Sequence, residues 1–255
     1  MMMKNAKGKN THLWLGAATA FFVIWVFSGL QTFAADPEEF GKFSTATAAG
    51  DFPAGWEPLN FKKIPRHTQY TLVKDRNTVV VKAVSESSAS GLIYRIKIDP
   101  GVYPVISWHW KVTNTFIKGD VSKKKGDDYP ARLYIAFEFD PKKLGFFERT
   151  QYKAARLLYG EYPPTGAITY IWSSNAPRGT IVSNPYTKRV KMIAVQSGTT
   201  RLNTWVQEER NVFEDYKTAF SQEPPMIAAV MIMTDSDNTG ESATSYFGDI
   251  IFKQK

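Results

Sequence analysis

Alternation of apolar and polar residues at every second position runs through most of this chain, and it constrains the fold more than any other feature. Leu92, Tyr94, Ile96 and Ile98 share one side of a segment whose other side carries Ile93, Arg95 and Lys97. Ile106, Trp108, Trp110 and Val112 oppose Ser107, His109 and Lys111, and Leu133, Ile135, Phe137 and Phe139 oppose Arg132, Tyr134, Ala136 and Glu138. Successive side chains of an extended backbone point to opposite faces, so each run predicts a half-buried antiparallel strand. Further strands are predicted at 69–74, 78–84, 167–173, 188–196, 202–208, 226–234 and 243–253. Residues 227–233 are apolar on both faces, which predicts a central strand.

Two stretches have helical spacing instead. Over 143–159, Leu144, Phe147, Ala155 and Leu158 recur near every 3.6 residues before Gly160 and Pro163-Pro164. Over 208–220, Val212, Phe213, Tyr216 and Phe220 recur before Pro224-Pro225. No fixed-period repeat or long Gly/Ser linker divides the chain. The pattern predicts a mainly β protein, a two-sheet antiparallel β-sandwich of jelly-roll type with two inserted helices, forming a single domain over 35–255. A β-barrel is the alternative.

The first 34 residues read as a secretory signal. Lys4, Lys7 and Lys9 precede an unbroken apolar run over 13–30, and Thr32-Phe33-Ala34 resembles a signal-peptidase site with cleavage before Ala35. The run is also long enough to span a bilayer if tilted, so a retained anchor is the other reading, and membrane contact is expected only in that case. Either way the bulk of the chain is expected outside the cytoplasm, periplasmic or secreted. The chain has no cysteine, which removes disulfides, thiol nucleophiles and Cys-ligated metals. The net charge is +8, and without the three leader lysines it is +5. The densest basic run, Lys123-Lys124-Lys125, is followed at once by Asp127-Asp128. No sustained basic face exists, so nucleic acid is not an expected partner.

Nucleophile-elbow, dinucleotide, P-loop and zinc-protease motifs are all absent, and only His67 and His109 follow the leader. The segment 234–241, TDSDNTGE, offers hard oxygen donors in Asp235, Asp237 and Glu241, with Gly240 for a sharp turn. Calcium held by these three is one reading, and an ordinary strand-connecting turn is the other. The position twelve residues into this loop is Tyr246 rather than Glu, so it is no EF-hand. Asp127 and Asp128 open a strong strand that carries Arg132, and the three are candidate ligand contacts or a local ion pair. Trp108 and Trp110 fall on an apolar face and are assigned to the core. Tyr170, Trp172 and Lys111 are candidate ligand contacts, because flat rings beside charged groups suit sugars, whose C–H faces stack while hydroxyls hydrogen-bond. Asp249, after Gly248 in the closing strand, reads as a bulge residue with a structural role.

Five separated segments, WHWKV at 108–112, GDDYPARLYIAFEFD at 126–140, YIWSS at 170–174, NPYTKRVKMIAVQSG at 184–198 and MTDSDNTGESATSYFGDI at 233–250, resemble the exported bacterial domain-of-unknown-function family 3047. The resemblance covers the chain from about Phe43 to Phe252 and implies no particular activity. The closing YFGDIIF also resembles the last strand of galactose-binding-like and carbohydrate-binding β-sandwiches, a fold-level analogy. The leading expectation is therefore a β-sandwich that binds a carbohydrate or cell-envelope glycan. Its rival is a polysaccharide-acting hydrolase or lyase with Asp127 or Asp128 facing Asp235, or His109 beside Tyr170. Both require polar side chains of several strands to converge on one hollow.

Overall fold

The computed structural model describes residues 36–47, 52–138 and 166–254. The alternating runs pair into two sheets. One has seven strands, in the order β1 (Glu57–Asn60), β4 (Ala89–Ile98), β11 (Ile227–Asp235), β6 (Arg132–Phe137), β7 (Gly166–Ser173), β9 (Thr187–Ser197) and β8 (Ile181–Asn184). The other has five, in the order β10 (Val206–Asn211), β5 (Val105–Val112), β12 (Ser242–Lys253), β3 (Thr78–Glu86) and β2 (Gln69–Asp75). The run apolar on both faces, β11, lies inside the larger sheet between β4 and β6.

Three features depart from the sequence expectation. The β7–β9 pair is parallel, so the larger sheet is mixed rather than wholly antiparallel. Short edge strands β1 and β8 carry too few residues for alternation to show. Of the two expected helices, that over 143–159 lies outside the described residues, and the other is α1 (Val212–Phe220). Helix α1 also starts later than its periodicity implied. Val206 and Glu208 alternate inward on β10, and Asn211 then caps the helix by accepting from the Glu214 N–H at 3.0 Å.

The sheets bury one continuous core between them. Trp108 of β5 stacks on Tyr170 of β7, with ring centroids 5.1 Å apart, and Trp110 of β5 lies 6.2 Å from Trp172 of β7. All four rings are at most 1% exposed. A buried indole removes roughly 150–250 Å² from water, an upper-bound gain of about 4–6 kcal/mol at ~25 cal/mol per Å². The inward places of both sheets are filled by aromatic and branched side chains, so ligand contacts must be sought on the outward faces or at the ends.

In β12 the pairing register with β5 shifts between Phe247 and Ile250, which confirms the bulge at Gly248 and Asp249. Asp249 accepts from the backbone N–H and hydroxyl of Ser44 at 2.8 and 2.6 Å, tying the 3-10 turn Phe43–Thr45 to the sheet. No helix among the described residues is long and apolar enough to cross a membrane.

Candidate functional site

Two polar constellations form, on opposite outward faces. The first gathers most of the residues singled out in the sequence. Arg132 opens β6 on the outer face of the larger sheet, beside Asp235 at the end of β11. Its Nε donates to Asp235 Oδ1 at 2.7 Å and Nη2 donates to Asp235 Oδ2, a two-pronged pair with both side chains almost fully buried. Nη2 also donates to the Asp127 carbonyl and Nη1 to Tyr134 Oη at 3.0 Å, while the guanidinium lies 4.3 Å from the centre of the Tyr129 ring. The Asp127 carboxylate takes an N–H from Asn184 at 2.7 Å. Asp128 accepts from Asn238 N and Nδ2 at 3.3 and 3.1 Å and from Thr239 N at 2.6 Å.

Ligand atoms of Asp128, Asp235 and Asp237 all lie within 4.8 Å of one another, so these three could hold a metal ion. The set differs from the expected one. Glu241 is turned away, accepting the N–H groups of Ile117 and Lys118 at 3.0 and 2.9 Å, and Asp128 takes its place. Sequence spacing could not show this, because Asp128 arrives from a loop over a hundred residues earlier. Burial is the largest influence on Asp235, Asp237 and Asp127 and pushes all three carboxyls above the usual range; Arg132 opposes it. Burial likewise pushes the Tyr134 phenol up to about 12. Asp127, Asp128 and Asp235 are each at most 4% exposed, so the acid pair that a hydrolase would need is sealed from a polymer substrate.

The second constellation lies on the outer face of the five-stranded sheet. Strand register places Lys82 of β3, Tyr246 of β12 and Lys111 of β5 side by side. Trp205, immediately before β10, completes the row. Lys111 Nζ lies 4.3 Å from the Tyr246 ring centre and 5.1 Å from that of Trp205, and it donates to Asp75 Oδ2 at 2.5 Å. Trp205 Nε1 donates to the same oxygen at 2.8 Å. Lys111 and Trp205 hold the Asp75 carboxyl below its usual range, Lys111 most strongly. Strands β3, β12 and β5 separate β2 from β10 in the sheet, yet Asp75 at the end of β2 bonds Trp205 beside β10. The sheet is therefore curled, and its outer face is concave at this end.

His109 continues the aromatic row, with its ring 5.0 Å from that of Trp205. It lies flat over Gly248, where an added Cβ would stand 1.9 Å from Nε2, so the bulge glycine makes room for the imidazole. Burial lowers the His109 pKa, opposed by Asp249. On the same face lie two hollows, one of about 240 Å³ beside Arg66, Gln69, Val84 and Glu86, the other of about 100 Å³ beside Asn114, Ser242 and Thr244.

The convergence expected in the sequence is thus corrected. Lys111 and His109 face outward from one sheet, and Arg132 and Tyr134 from the other, so no shared hollow joins them. Tyr170 and Trp172 are withdrawn as ligand contacts. Both are 0% exposed, with the Tyr170 hydroxyl on Asp215 at 2.8 Å and the Trp172 indole N–H on the Gly198 carbonyl at 3.1 Å. His109 accordingly lies beside Trp205, not Tyr170. Trp205, Tyr246 and Asp75 were missed. Tyr246 had a readable signal, since it alternates with core-facing Phe247. Asp75 had none, because its contact with Trp205 spans 130 residues.

Comparison with solved structures finds similarities of low identity. A family 30 carbohydrate-binding module of a Clostridium thermocellum cellulosomal cellulase matches with 10% identity, 82% of this chain, 96% of that one and a TM-score of 0.38. A family 28 carbohydrate-binding module specific for non-crystalline cellulose matches with 11% identity, 84% and 93% coverage and a TM-score of 0.38. The Trichoderma harzianum endoglucanase 3 of family GH12 matches with 10% identity, 84% and 96% coverage and a TM-score of 0.40. No curated protein matches the chain in sequence. The sequence profile of one family spans residues 54–251, and the chain belongs to that family, described as protein of unknown function DUF3047.

Proposed function

We propose that this chain is an exported carbohydrate-binding β-sandwich, of jelly-roll type, that holds a cell-envelope glycan on the concave outer face of its five-stranded sheet. In this reading residues 1–34 are a cleaved signal peptide and the domain over 35–255 acts in the periplasm or after secretion. The observation that carries the proposal is the outward aromatic pair Trp205 and Tyr246, fixed by Asp75 and Lys111. A ring held in one orientation loses little entropy on stacking against a sugar, and the amide, hydroxyl and carboxylate groups around it match sugar hydroxyls. Trp205→Ala is expected to weaken binding to a glycan panel by at least about tenfold in titration calorimetry, equivalent to ~1.4 kcal/mol. Melting should change little, because Trp205 lies outside the core. Absence of binding to every glycan by folded wild-type protein would sink the proposal.

For the acidic cluster we propose calcium, since converging carboxylates suit a hard cation. Without an ion, the raised pKa values of Asp127 and Asp237 mean that the folded state holds those protons more tightly than the unfolded one. Their contribution to stability is complete below about pH 4 and is lost as pH rises through the folded-state values. Bound calcium reverses that slope. At a hundredfold excess over its dissociation constant it adds about 2.7 kcal/mol, so chelation at neutral pH should lower the melting temperature by about 5–10 °C. Asp237→Asn should abolish the difference. Identical melting in calcium and in chelator assigns the cluster to Arg132 alone.

A further inference from the structure

We infer that the ligand of the concave face is an uncharged polysaccharide chain, an inference that rests on the glycan reading and specifies its substrate class. Lys111 is only 17% exposed, and its ammonium is consumed by Asp75 at 2.5 Å and by the two rings it touches. A carboxylate of an acidic sugar approaching Trp205 or Tyr246 would meet that ammonium only alongside the Asp75 carboxylate, which repels it. Arg66 and Glu86 line the same hollow, and Lys82 shares its strand and its face with Glu86. At the far corner Lys253 is likewise paired with Glu209 at 2.7 Å. Sites for anionic polymers present uncompensated Lys and Arg, and their affinity falls with added salt. Arg66 lies with Glu86 at the hollow and Lys111 is paired with Asp75 between the two rings, so the charge beside the rings is matched although the chain as a whole is basic.

Its shape suits a chain rather than a single sugar. The row of Lys82, Tyr246, Lys111 and Trp205 crosses four strands at about 4.8 Å spacing, some 14 Å in all. The two hollows on the same face are lined by Gln69 and Asn114, whose amides can bond hydroxyls. Asp75 is the element that sets the preference. Placed at the hairpin tip between β2 and β3, it both fixes the Trp205 ring and cancels Lys111.

The test uses affinity electrophoresis and calorimetry with a soluble β-glucan and a galactomannan as neutral probes and polygalacturonate as the anionic probe, at low and high salt. Wild-type protein is expected to bind a neutral probe with an affinity that changes by less than about twofold with salt. Asp75→Asn keeps an oxygen acceptor for Trp205 but frees the Lys111 charge. It should create salt-sensitive binding to polygalacturonate at least about fivefold tighter than wild type at low salt, and adding Lys111→Gln should remove that gain. Wild-type preference for polygalacturonate would overturn the neutral assignment while leaving the glycan reading intact. If Asp75→Asn gains no polygalacturonate affinity while remaining folded by circular dichroism, Asp75 is not the selective element and the inference fails. Folded protein that binds none of the probes would remove both the reading and the inference.

Discussion

Replacing Arg132 by Met is expected to destabilise the protein by about 3–5 kcal/mol, read as a fall in the urea midpoint at unchanged slope. Methionine fills a similar volume, so the loss is electrostatic rather than steric. The guanidinium is 3% exposed and joins both oxygens of Asp235, the Asp127 carbonyl and the Tyr134 hydroxyl. Without it, and with calcium removed by chelator, a fully buried carboxylate faces Asp128 and Asp237 with no cation. The folded state then answers by taking up protons, so the variant should recover part of its stability as pH falls through the raised carboxyl pKa values. Arg132→Lys keeps a charge but not the planar fork, and should fall between the two. An unchanged urea midpoint for Arg132→Met would mean that the pair contributes nothing net to folding.

Trp172→Ala is expected to cost about 3–5 kcal/mol as well, by leaving a cavity between the sheets. The indole is 0% exposed and packs near Trp110 on the opposing sheet. Glycan affinity of the folded fraction should stay at the wild-type value, the reverse of the pattern expected for Trp205→Ala. Weakened binding with full stability in Trp172→Ala would restore that tryptophan as a ligand contact. The two variants together therefore separate core aromatics from surface ones by measurement.

How far the sequence could be read depended on the range of the interaction that decides each feature. Alternation is local, so the long strands β4, β5, β6 and β11 were legible, as was the inward placement of Trp108 and Trp110. Alternation cannot say which sheet a strand joins. That is why Lys111 and Arg132, both outward-facing, were expected on one surface and lie on opposite ones. Nor does it distinguish a ring that faces a partner sheet from one that faces solvent, as Tyr170 and Trp172 demonstrate. The acidic loop 235–237 was recognisable by composition, whereas Asp128 joins it only through tertiary packing. Glu241, close in sequence, is drawn off by the backbone of Ile117 and Lys118.

The placement of β11 and β12 has a consequence for biosynthesis. They follow every other strand in the chain, yet β11 separates β4 from β6 and β12 separates β5 from β3. Until the ribosome has released residues beyond 226, both halves of the sandwich have a gap where these strands belong. The nascent polypeptide therefore cannot close either sheet until its last strands have emerged.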